Sequence, residues 1–356
     1  MRIIGSLLSV KSPAGFDAAE LERSRRFHRP LHVAFVLDVL FPLASLVMLT
    51  QLRVDLPWAA AVVVWPALAE LVPGVVRLPV ACFRHRHAVR FGLSTQSWRG
   101  FAADRAKGLA VGAALTVVAL VPLFAAARIF PHGWPRLVVP GAALLVLLLG
   151  VLAPVVLEPV WNRFEPLPDG PLAAHLHGVA ARAGTPVGEI LVADASRRTR
   201  AGNAYVSGLG RTRRLVLWDT LLDTPPDEVG VVLAHELGHR VRRHVAWLTA
   251  AGMAGTALFV VGLRLVRPHP VPHDAAAIVL AAALAELGAL PAFSALSRRF
   301  ERTADRFSLA VTGDPGAFRR LHHRLAVTNL AELAPPNWLY YWAMSHPTPP
   351  ERIDSA

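Results

Sequence analysis

The sequence predicts a predominantly α, polytopic membrane helix bundle of about six spans, with a smaller α+β unit inserted between the fourth and fifth. Three observations predict it. Apolar residues make up 54% of the chain against 17% charged, and a mean hydropathy of +0.42 exceeds what a soluble core of 356 residues would bury. These residues gather into six runs of about 20, the length an α-helix needs to cross hydrocarbon. Between the fourth and fifth runs the pattern changes to short strand-like stretches separated by turns. The same composition excludes intrinsic disorder and a coiled coil, and a single cysteine, Cys82, excludes a disulfide scaffold.

Residues 1–10 hold no apolar run of signal-peptide length and no small-residue cleavage site follows, so the first span is expected to act as the insertion signal. The spans are expected at 31–50, 54–76, 108–130, 137–157, 245–263 and 275–296. The fourth carries no charge at all. The first two contain Asp38 and Glu70 and are interrupted by Pro42, Pro57, Pro66 and Pro73. Asp38, Glu70 and Glu286 fall at membrane depth, where an acid is costly unless protonated, paired or facing water. Each is therefore either a functional marker or a helix-packing group near an interface.

Of the 37 basic residues, 35 are arginine, and 32 fall on four alternate segments: 1–30, 77–107, 158–244 and 297 onward. The other side receives only Arg53, Arg128, Arg136, Arg264 and Arg267. That bias predicts both termini and the 158–244 segment in the cytoplasm, with the cell membrane as the expected location. A net charge of +12 would also suit nucleic acid, but no recognition motif accompanies it. The bilayer is the expected partner and nucleic acid is not. The resulting organisation is a membrane region at 1–157, a cytoplasmic insert at 158–244, two further spans at 245–296 and a helical tail at 297–356.

Within the insert, Leu172 to Ala183 has helical spacing and stops at Gly184. Strand-like runs follow at Glu189–Ala193, Asn203–Ser207 and Arg214–Asp219, the last two joined by a Gly208-Leu209-Gly210 turn. Thr224 then stands before Pro225, Pro226, Asp227 and Glu228, which reads as an N-cap, a proline-compatible first turn and acids matching the helix dipole. The helix is expected to run through 228–244 straight toward the fifth span.

That helix contains His235-Glu236-Leu237-Gly238-His239, an H-E-x-x-H motif. Positions i and i+4 share a helix face, so both imidazoles can reach one metal ion, and the Glu236 carboxylate can take a proton from the attacking water. The bland reading is a solvated basic helix end beside Arg240, Arg242, Arg243 and His244. A catalytic zinc site wants a third protein ligand and an open position. Glu301 is the candidate, with Asp305 on the same helix face, so that one can bind metal while the other orients a ligand histidine. An ordinary charged face, Arg298 to Arg302, accounts for these residues as well.

The H-E-x-x-H motif with Glu301-x-x-x-Asp305 resembles the type I CAAX prenyl protease family, integral-membrane zinc endopeptidases of the gluzincin class. Asn162 to Gly170, Asn203-Ala204-Tyr205, Arg214 to Leu222, and Ser345-His346-Pro347 with Arg352 resemble it too, in order, from about residue 83 to the end. The resemblance implies a cytoplasmic, zincin-like metalloprotease unit holding one Zn2+ on His235, His239 and Glu301, with Glu236 activating water. It implies that Asp305 holds a zinc-bound histidine or donates a proton, and that His346 and Arg352 stabilise the oxyanion or anchor substrate. Read alone, His346 is a tail histidine in a proline-rich turn. Asn203 and Ala204 would lie on a strand edge that pairs with extended substrate. The implied substrates are peptides or proteins of the membrane, CAAX-type and prenylated or not. A quality-control protease of the same zinc class and a zinc-domain signal transducer remain as alternatives. Eukaryotic members resemble a seven-span barrel, whereas six spans are expected here.

Overall fold

The computed structural model describes residues 15–185, 187–209 and 214–356. Residues 1–10, the basic residues Lys11, Arg211 and Arg213, and Gly210 of the expected turn lie outside the described residues.

Six helices are long and apolar enough to cross a membrane. The first, α1 (Ala18–Gln51), starts well before residue 31 because Asp17 and Glu20 form a reciprocal cap, with Glu20 N–H donating to Asp17 Oδ1 at 2.7 Å. Next come α2 (Trp58–Val76), a short α3 (Leu78–Arg90) that the hydropathy pattern did not reveal, and α4 (Trp98–Ile129). Then α5 (Pro135–Leu152) continues through one wider turn at Ala153–Leu157, where Pro154 has no N–H to give, into α6 (Glu158–Trp161). The last two membrane helices are α9 (His244–Val266) and α10 (Ala275–Thr312). Their core gathers round α2, where Trp65 and Ala69 pack with Phe124 of α4 and Ile278 of α10.

The acids at membrane depth differ in their surroundings. Asp38 pairs with Arg84 at 2.8 Å and Arg77 at 3.7 Å, and Glu70 accepts a hydrogen bond from Thr116 at 3.4 Å. Glu286 is exposed and has no hydrogen bond or ion pair among the described residues.

The inserted unit holds α7 (Pro171–Arg182), which closes at Gly184 in a left-handed conformation, φ +60°. Its sheet comprises β1 (Phe164–Pro166), β2 (Ile190–Ala193), β3 (Ala204–Ser207) and β4 (Arg214–Trp218) in the order β1-β2-β4-β3. β2 and β4 are parallel and the other pairs antiparallel, so β3 is an edge. On this unit pack α8 (Pro226–Val241), α11 (Pro315–Thr328), and the short α12 (Asn337–Ala343) and α13 (Pro349–Asp354). Leu176, Leu217, Leu233, Leu237 and Phe318 form a fully enclosed second core.

Two expectations for α8 need correction. Thr224 is not its cap: the Thr224 N–H donates to Leu221 O in the preceding turn. Pro226 holds Pro225 extended (φ −49°, ψ 135°), so helical dihedrals begin only at Pro226. Nor does the helix run straight to the fifth span. It ends at Val241, Arg243 turns left-handed (φ 57°, ψ 33°), and α9 begins afresh at His244. By contrast α10 runs unbroken from the membrane through Glu301 and Asp305.

Candidate functional site

The site forms where α8 crosses α10. Gly238 permits the contact, since a Cβ there would lie 3.0 Å from the Ala304 backbone. Ser308 of α10 fixes the crossing by donating to Val231 O at 2.9 Å. Glu301, Ala304, Asp305 and Ser308 are all buried, and their spacing makes them one face of α10, turned to α8.

This crossing brings His235, His239 and Glu301 into one group. The two Nε2 atoms lie 3.1 Å apart, and each lies 3.3 Å from a Glu301 carboxylate oxygen. Donors bound to zinc at about 2.0–2.1 Å in a tetrahedron stand roughly 3.3 Å from one another. The residues therefore fit the ion, in donor type as well as in spacing.

Both rings are held from behind. His235 Nδ1–H donates to Asp305 Oδ1 at 2.8 Å, and Arg352 grips Asp305 through Nε (2.9 Å) and a second, shorter bond from Nη2. His239 Nδ1 lies 2.9 Å from Nδ1 of His244. With its Nε2 lone pair toward the metal position, His239 carries the proton on Nδ1 and His244 accepts it. The His244 Nε2–H then faces Thr303 Oγ1 at 3.4 Å, whose hydroxyl donates to Phe300 O. His244 also stacks on Phe300, ring centroids 4.1 Å apart. These outer partners fix tautomer and ring orientation, as metal-binding histidines require.

Burial lowers the pKa of His235, but the hydrogen bonds to Asp305 and Glu301 outweigh it and raise the value to about 9. Burial raises that of Glu236 above the usual carboxylate range, opposed by His235 and His239. A carboxylate raised in this way is better matched to taking up a proton near neutral pH.

A cavity of ≈ 580 Å³ adjoins the three ligands. Its wall includes the open edge of β3. Asn203 O accepts from Trp218 N, so the ladder's alternation turns the backbone groups of Ala204 and Val206 away from β4. The Val206 N–H donates to Glu236 Oε2 at 3.1 Å. Asn203 and Ala204 line the cavity, as do His346 and Arg352. His346 is exposed at its mouth, with Nε2 3.5 Å from Glu301 Oε1 and Nδ1 2.8 Å from Ser345 Oγ. All nine residues singled out in the sequence thus meet here, with Arg352 engaged by Asp305.

Three contributors were not foreseen. His244 had read only as part of a basic helix end. Asn329 binds both backbone groups of Gly202 (2.8 and 3.0 Å), anchoring the approach to β3. His322 of α11 lines the cavity, and burial keeps its pKa well below the usual histidine value. None of the three left a signal in the sequence that would have found it.

The family model for peptidase family M48 matches residues 166–356, more than half of the chain. The chain belongs to peptidase family M48. It is similar to an uncharacterized metalloprotease, YhfN, of Bacillus subtilis (strain 168), with 29% identity covering 81% of this chain and 71% of the relative. It is likewise similar to the CAAX prenyl protease 1 homolog of Oryza sativa subsp. japonica, with 28% identity covering 84% and 72%. The crystal structure of S. mikatae Ste24p shares the fold, with a TM-score of 0.79 at 23% identity over 96% of this chain and 89% of that one. The resemblance to type I CAAX proteases is thereby borne out. This M48 member is a zinc-dependent membrane endopeptidase of multi-pass topology, acting on peptide or protein substrates.

Proposed function

We propose that the enzyme cleaves membrane-associated proteins at the cytoplasmic face of the cell membrane, using His235, His239 and Glu301 to hold zinc and Glu236 as the general base. The observation that carries this reading is the three-donor group beside Glu236 and the open edge of β3. Zinc bound there would supply Lewis acidity to the scissile carbonyl and lower the pKa of the attacking water, easing its deprotonation to a nucleophile. Glu236 takes a proton from that water on its carboxylate and returns it to the leaving amine as the C–N bond breaks. Asp305 and His244 hold the two imidazoles in the productive tautomer, and Arg352 holds Asp305. His346 presents a ring N–H from the cavity mouth to the oxyanion. An extended substrate strand adds to β3 at Asn203 and Ala204, which places its backbone alongside Glu236.

The bias of basic residues supports the cytoplasmic assignment. The name of the Oryza sativa relative supports prenylated, CAAX-type proteins as substrates. Nucleic acid has no part in this reading.

The test is Glu236→Gln in the full chain reconstituted in lipid. It should retain one zinc per chain by metal analysis and lose about 10²–10⁴-fold in cleavage rate, the usual contribution of a positioned base. Retained peptidase activity would sink the mechanism. A farnesylated C-terminal peptide compared with an unmodified membrane-protein fragment decides the substrate class. Preference for the unmodified fragment would overturn the prenyl assignment and favour quality control.

A further inference from the structure

A second cavity, ≈ 510 Å³, lies on the outer surface between the start of α9 and the far part of α10. Arg242, Arg299 and Arg306 line it together with Trp247, Leu296 and Phe300, and no carboxylate does. All three arginines are exposed. The side chains of Arg242 and Arg299 make no hydrogen bond or ion pair among the described residues, and that of Arg306 spends only its Nε, on Arg302 O at 3.2 Å. Elsewhere the protein pairs many of its arginines with acids, as at Asp38, Glu158 and Glu228. An unpaired cationic trio beside an apolar wall is therefore unusual within this molecule.

Its position supplies the occupant. The groove sits where both helices leave the membrane-spanning stretch, the depth of lipid headgroups. Trp247 is 65% exposed and begins a stripe at helical spacing, Trp247, Ala251, Ala254, Leu258, Val261 and Leu265, exposed along the length of α9. Tryptophan at an interface, an apolar lane running into the bilayer and guanidinium groups at its mouth match the three parts of a phospholipid. Basic pockets at membrane helices are suited to anionic headgroups.

We propose that this groove binds the headgroup of an anionic membrane phospholipid, its phosphate held by Arg242, Arg299 and Arg306 and an acyl chain lying along α9. The site is separate from the substrate cavity, and His244 links the two. His244 and Thr303 line the groove, and His244 bonds the metal ligand His239. The proposal rests on the membrane topology and the groove's charge, not on the catalytic reading.

The experiment uses the full-length protein in phosphatidylcholine nanodiscs, titrated with phosphatidylglycerol, with bound lipid counted by native mass spectrometry and thermal stability followed in parallel. Phosphatidylglycerol should bind and raise Tm. Each of Arg242→Gln, Arg299→Gln and Arg306→Gln should weaken binding roughly fivefold, the factor expected per basic residue near an anionic leaflet, and the triple variant on the order of 100-fold. A charge-matched triple variant at the exposed Arg182, Arg200 and Arg319 should bind like the wild type. Equal loss in that control would reduce the effect to bulk surface charge and overturn the site. Inorganic phosphate reproducing the Tm shift at matched concentration would overturn the lipid assignment. So would undiminished phosphatidylglycerol binding by a triple variant whose Tm in phosphatidylcholine is unchanged.

Discussion

Two adjacent helices, α8 and α9, are separated only by Arg242 and Arg243, yet they obey different rules. In α8 nine of 16 residues are buried by protein; in α9 only three of 23 are. Both are rich in apolar side chains, but apart from Val260 and Leu263 those of α9 are left unburied by protein. In α8 each position is specified by a neighbour: Gly238 by Ala304, Val231 O by Ser308, Glu228 by Arg324 at 2.7 Å. In α9 a leucine has to be greasy rather than particular. The difference shows where precision is needed, since the two histidine ligands sit on the helix whose surroundings leave no slack.

Mutations can break this comparison. The largest effect is expected at Leu237, fully buried beside the metal ligands: Leu237→Ala should cost roughly 2–5 kcal/mol of stability, read from unfolding of the purified protein in detergent. Next is His244, the first residue of α9 and the one that serves α8. His244→Ala should lower zinc affinity about 10–100-fold in chelator competition, with helix content unchanged. An unaltered affinity would show that the contact with His239 is incidental.

The pH dependence of zinc uptake sharpens the same point. The Asp305 and Glu301 bonds raise the His235 pKa to about 9, and zinc requires the ring's free lone pair, so a proton must leave on binding. Zinc affinity should therefore rise about tenfold per pH unit below that value and level off above it. A flat profile between neutrality and pH 9 would contradict the assignment. The smallest effect belongs to Leu258, 73% exposed on the lipid side of α9, where Leu258→Ala should stay within about 0.5 kcal/mol in the same unfolding assay. A loss at Leu258 as large as that at Leu237 would erase the distinction between the helices.

The membrane helices were legible because an apolar run of about 20 residues suits little besides the interior of a bilayer, although their true ends were not. Asp17 with Glu20 starts α1 early, and α10 carries on past its span. The helix α3 escaped notice because Arg84, His85, Arg86 and His87 interrupt its apolar residues. The metal ligands were legible in the H-E-x-x-H spacing and in Glu301-x-x-x-Asp305. His244 was not: five residues beyond His239, it would stand off the ligand face of a continuous helix. Only the left-handed turn at Arg243 brings it back, and the run Arg240 to His244 contains no glycine or proline to announce that turn. The bond of Arg352 to Asp305 was not legible, because nothing in a linear chain shows a guanidinium meeting a carboxylate 47 residues away.

The uninterrupted course of α10 also makes it a ruler. If its first twenty or so residues cross the hydrocarbon, Glu301 stands only about 8 Å beyond, at 1.5 Å per residue. Because Glu301 and the span belong to one continuous helix, no loop intervenes between blade and bilayer. For the membrane-tethered substrates proposed above, the bond that is cut is expected within a few residues of the tether, so that the anchor's position, more than the local sequence, would choose the cleavage point.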